Sequence, residues 1–94
     1  MKKGIELITQ ERREQFNKHG HTIALDILSN DQGQLAIAAS ILSQRNIPGN
    51  VYILPRGWDE VIWSNMLRKA YKERLIIAGA LIAAEIDRIQ GIEI

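Results

Sequence analysis

From about Asn65 to Ile89 the chain carries one long helical pattern, and this stretch limits the fold more than any other feature. Tyr71, Leu75, Ala78, Ile82, Glu85 and Ile89 advance by alternating fours and threes, the seam spacing of packed helices. Ala78, Gly79, Ala80, Ala83 and Ala84 give that region little side-chain bulk, so a second helix can approach closely. Gly79 costs about 1 kcal/mol against alanine inside a helix, which makes close packing its purpose. A helix this long must find helical partners elsewhere in the chain.

Two partners are legible. The first is predicted over Gly4–Lys18, with Ile5, Ile8, Arg12 and Phe16 along a narrow stripe and Gly20 suited to end it. The second starts at Asp31 and Gln34, which have capping-box spacing, and repeats Leu35, Ala38, Ala39 and Leu42 at i, i+3, i+4 and i+7. Ile37 and Ile41 widen its apolar surface, and Asn46-Ile47-Pro48-Gly49 is expected to stop it. From Asn50 to Trp63 the pattern is irregular. Val51-Tyr52-Ile53-Leu54 has strand-like composition, but a single run with no partner strand cannot support a sheet. The fold expected is all-α: a single domain over 1–94, a compact bundle of three main helices, with an irregular Pro/Gly/Trp loop between the second and third.

Composition excludes several functions. The chain has no cysteine, which removes disulfide frameworks, thiolate zinc sites and cysteine nucleophiles. A net charge of +1 argues against a generally basic nucleic-acid binder. Met1-Lys2-Lys3 looks like the start of a signal peptide, but Glu6, Gln10, Glu11, Arg12 and Arg13 break up the apolar stretch that such a peptide needs. The longest uncharged apolar run, Leu75 to Ala84, is far short of the roughly 20 residues that span a membrane, so a cytoplasmic protein is expected. Aromatics are only 5% of the chain and 16 residues are isoleucine, so bulk comes from Ile, Leu and Ala. A core of this size, burying roughly 64% of the open chain's surface, is thin enough that self-association is expected.

The polar residues offer competing readings. Glu85 lies on the apolar seam, where a carboxylate must find a cation or donors. Arg12 is the matching oddity of the first helix, and a structural Glu85–Arg12 pair is preferred to a catalytic Glu85. Glu11 and Glu14 form a Glu-x-x-Glu pair. In all-α nucleoside triphosphate pyrophosphohydrolases such a pair holds magnesium with a later Glu-x-x-Asp. Here Glu85-Ile86-Asp87 has the wrong spacing, with Asp87 about 200° around the helix from Glu85. His19, His21 and Asp26 could ligate a metal, but no third histidine exists, so no metal is the expectation. Arg68, Lys69, Lys72 and Arg74 form a local basic patch beside Trp58, Trp63 and Tyr71. It reads as a solvated face, with Trp58, Trp63, Arg68 and Lys72 as candidate partner contacts and at least one tryptophan in the core. Neither Gly-x-x-x-x-Gly-Lys nor Gly-x-Ser-x-Gly is present.

Taken in chain order, Glu11-Arg12 with Gln15, Lys18 and Gly20, then Asp26, then Gly33-x-Leu35 before Ala38-Ala39, form a recognisable series. Pro55, Trp58 and Trp63 come next, and the run Ala78-Gly79-Ala80-Leu81-Ile82-Ala83-Ala84-Glu85-Ile86-Asp87-Arg88 closes it. This order resembles a family of small phage and prophage proteins with an N-terminal Glu-Arg-x-x-Gln helix and a C-terminal Ala-Gly-Ala-Leu-Ile-x-Ala-Glu-Ile-x-Arg helix. The resemblance implies a compact helical protein associated with mobile-element genomes, and it supplies no activity. Relatives often carry more acidic residues and a histidine around Asp26, and a fuller Trp-Pro cluster around Trp58. Glu11, Arg12, Gln15 and Glu85 match, and form a candidate polar cluster. The function expected is a non-enzymatic module that binds a partner or itself. The alternative is a magnesium-dependent nucleotide pyrophosphohydrolase using Glu11, Glu14 and Glu85.

Overall fold

The computed structural model describes residues 1–18, 23–47 and 53–92. Among them are five helices and no strand: α1 (Gly4–Lys18), α2 (Ile23–Ser29), α3 (Gln34–Leu42), α4 (Glu60–Leu67) and α5 (Tyr71–Ile92). The all-α class and compact form are as expected, but the division into three main helices is not. α2 occupies the segment between the first two predicted helices, for which no helix is predicted, and the long predicted helix is two helices broken at Arg68-Lys69-Ala70.

Arg74 explains that break. In a continuous helix the Lys69 carbonyl would accept from the amide four residues on. Here it accepts from Arg74 Nε at 3.0 Å. The same guanidinium donates from Nη1 to the carbonyls of Leu42 (3.0 Å) and Gln44 (2.6 Å), and from Nη2 to Arg45 (3.1 Å). Those carbonyls leave α3 and have no helical partner of their own, so one buried fork satisfies the end of α3 and turns the chain into α5. The Tyr71 ring lies 5.5 Å from the guanidinium carbon. α3 therefore ends at Leu42, before Asn46-Ile47, and the expected stop at Pro48-Gly49 falls outside the described residues.

The start of α3 also differs. Its cap is Gly33 at φ 77°, with no side-chain capping bond, and Asp31 is exposed. Gln34 reaches back, but it accepts from the Gln32 amide (2.7 Å) and donates to the carbonyls of Ser29 (3.2 Å) and Arg56 (3.3 Å). One buried amide thus ties together the end of α2, the start of α3 and the approach to α4. α4 begins at Glu60, inside the stretch expected to be irregular, because Asp59 caps it by accepting from the Ile62 amide at 3.0 Å. Pro55 to Trp58 forms a turn closed by the Trp58 amide on the Pro55 carbonyl (3.0 Å), with Gly57 at φ 83°; Val51 and Tyr52 lie outside the described residues.

α5 is the spine on which α1, α2 and α3 pack. The core joins Leu35, Ala38, Ala39 and Leu42 of α3, Trp63 of α4, and Ile77, Ala78, Leu81 and Ala84 of α5. At Gly79 an added Cβ would stand 2.6 Å from Ile8 Cδ1, and at Gly91 3.1 Å from Ile23 Cγ2 and Ile27 Cδ1. Both glycines therefore serve close helix approach, as expected for Gly79.

Candidate functional site

α1, α2 and α4 do not close over the middle of α5. They leave a cleft of about 660 Å³. Ile77 and Leu81 of α5 line it, with Leu25, Ile62 and Met66 adding apolar surface. The α1 side presents Glu11, Glu14 and Gln15; the α2 side presents Asp26, Ser29 and Asn30; the α4 side presents Asp59, Asn65 and Lys69, with Gly57-Trp58 at one corner. Among the described residues, carboxylates of all three walls and the Lys69 ammonium thus edge an apolar interior.

The cleft's polar groups are organised by one another. Trp58 donates its indole N–H to Asn30 Oδ1 at 2.8 Å, and Asn30 Nδ2 donates to Asp26 Oδ1 at 2.8 Å. Asn30 is buried and Asp26 is 1% exposed, so this indole–amide–carboxylate relay is held inside the protein with fixed donor and acceptor order. On the opposite wall Gln15 Nε2 donates to Glu11 Oε2 at 3.3 Å. Trp58 also meets Trp63 edge-to-face, with centroids 5.6 Å apart, and Trp63 donates from Nε1 to the Ile53 carbonyl at 2.8 Å. The rings lock the loop that carries the cleft's corner.

The sequence candidates separate into two groups. Glu11, Glu14, Gln15, Asp26 and Trp58 meet at the cleft. Arg12 and Glu85 do not pair. Glu85 is bonded to Arg88 one turn along α5, while Arg12 reaches Asp87 at 3.3 Å. The cause is helical spacing: Asp87 lies on the side of α5 that α1 covers, and Glu85 lies well round the helix from it. The inter-helix ion pair exists, with a different carboxylate. Glu85 is not among the cleft residues either, so the set Glu11, Glu14 and Glu85 is not assembled. Among the described residues no three His, Asp or Glu side chains converge to hold a metal, and His19 and His21 lie outside them.

One partner candidate and one member of the basic patch change role. Trp63 is fully buried and presents nothing to a partner in this arrangement. Arg74 leaves the basic patch for the interior, while Arg68, Lys69 and Lys72 remain exposed, with Lys69 3.9 Å from Glu73. Asn30 carries no signal in the sequence, because its Trp58 partner lies 28 residues away, while the capping-box spacing marks Gln34 but not its bond to Arg56, 22 residues away. No helix among the described residues is long and apolar enough to cross a membrane.

Comparisons with protein-family models, curated proteins and solved structures return no match to this chain.

Proposed function

We propose that this chain is a non-enzymatic binding module of the small phage or prophage type, and that it binds a small organic ligand in the cleft. The observation that carries the reading is the cleft's construction. A preformed apolar bed is edged by Glu11, Glu14, Asp26 and Asp59, and the buried Trp58–Asn30–Asp26 relay fixes one corner. Concave sites of this size with a few ordered polar groups are where small ligands bind. Glu14 and Asp59 on the cleft's walls favour a ligand with an apolar body and a cationic or hydrogen-bond-donating head. The phage-type assignment draws on the Glu11-Arg12-x-x-Gln15 and Ala78–Arg88 runs.

The Trp58 indole N–H resonance is a reporter at the site itself. Titration with arylalkylamines and alkylguanidines is expected to shift it saturably, with matched aryl carboxylates having no effect. Glu14→Gln, on the half-buried wall of the cleft, should weaken binding about five- to tenfold, a loss of roughly 1 kcal/mol. Absence of any saturable shift across the amines and guanidines would refute the reading, as would equal binding of the carboxylates.

A further inference from the structure

One arc of α5 is left exposed by the helices that pack on it among the described residues. α1 covers the side bearing Gly79 and Asp87, α2 the end at Gly91, and α3 the side of Ile77 and Leu81. The remaining arc carries Tyr71 (40% exposed), Leu75 (39%), Ile82 (50%), Ile86 (51%) and Ile89 (41%). At about 100° per residue these five fall within about 60° of one another, a single stripe along five turns with no charged residue in it. Together they expose on the order of 400 Å² of apolar surface, the size of the largest patch on a typical monomer, which is often functional. An interface that buries ~800 Å² per partner is a little over half apolar, so the stripe supplies most of the apolar share that a stable pair needs.

We propose that this arc is the two-fold interface of a homodimer in which α5 packs antiparallel against α5 of a second copy. The stripe is self-complementary in one antiparallel register. Ile82 meets its own copy on the axis, and Leu75 meets Ile89 of the second copy. In that register the exposed Lys72 lies beside the last turn of the other α5, where the helix macrodipole is negative, and the two macrodipoles oppose each other. A parallel pair would set both basic starts together. The interface is independent of the cleft, which lies between α1, α2 and α4, so either assignment can fail without the other.

The chain has no cysteine, so single introduced thiols report register directly. Ile82→Cys is expected to cross-link into a dimer under mild oxidation. Leu75→Cys mixed with Ile89→Cys should give the heterodisulfide, and Leu75→Cys alone should not cross-link. Sedimentation equilibrium of the unmodified chain should show a monomer–dimer equilibrium, and Ile86→Glu should weaken it at least a hundredfold with far-UV circular dichroism unchanged. A monomer at about 0.5 mM overturns the proposal, including one that instead binds vesicles through the stripe. So does a dimer that persists in Ile86→Glu, or one in which Leu75→Cys cross-links with itself and Ile82→Cys does not. Should Ile86→Glu unfold, the cross-linking pattern decides alone.

Discussion

Arg74 donates hydrogen bonds to three carbonyls about 30 residues away and to a fourth close by. A planar, permanently charged fork can serve four carbonyls at fixed angles; an ammonium on a flexible stem cannot. Arg74→Lys is expected to lose about 2–3 kcal/mol of stability, lowering Tm by roughly 10–20 °C in a thermal scan. Glu85 makes the opposite case. Its partner Arg88 is one turn away on the same helix, so Glu85→Gln keeps an acceptor in place and should cost only about 1 kcal/mol in urea unfolding. Because Glu85 stands off the cleft, millimolar magnesium should leave Tm unchanged in both proteins; a shift in the unmodified chain that Glu85→Gln removes would restore the hydrolase reading. The candidate site is half legible at this scale. Glu11 and Glu14 stand out in the sequence as a Glu-x-x-Glu pair, Gln15 through the resemblance, Asp26 as a candidate ligand and Trp58 as a loop tryptophan, and all five line the cleft. The relay through Asn30 is not readable there, because nothing local distinguishes an asparagine that receives an indole N–H from one in water.

At the scale of elements, periodicity locates the helices that packing obeys and misses those that packing overrides. α1 has the limits its pattern implied, Gly4 to Lys18, and the seam from Tyr71 to Ile89 is helical throughout. The break before Tyr71 has no proline or glycine to announce it; it comes from a side chain taking a backbone acceptor. α2 is too short, at seven residues, to display a full period. Gly79 allows a double test. Alanine there gains about 1 kcal/mol of helix propensity but drives Cβ into Ile8, and overpacking costs typically 1–3 kcal/mol. Gly79→Ala is therefore expected to destabilise the parent by about 1 kcal/mol and to stabilise an Ile8→Ala background by about as much, a sign reversal measured by a double-mutant cycle. Gly33→Ala probes backbone alone. Nothing lies within 4 Å of the added Cβ, so the left-handed φ of 77° accounts for the whole expected loss of about 1 kcal/mol.

For the whole molecule, the thin core expected from size and composition takes a specific form: an internal spine covered on three sides. If the fourth side is covered by a second copy, stability must depend on concentration. A hundredfold dilution should then lower Tm measurably for the unmodified chain and not for Ile86→Glu. The fork of Arg74 has one more consequence. By holding Leu42, Gln44 and Arg45 against the start of α5, it closes the intervening chain into a ring whose neck is fixed independently of its length. Closure entropy grows only logarithmically, so doubling such a ring costs about 0.6 kcal/mol. The exposed Asn46 just beyond the neck is therefore a permissive point for grafting. Extra residues inserted there would lengthen the ring without loosening its clasp, and an epitope tag or a small autonomous domain could be carried at that end of the protein while α3 stays seated.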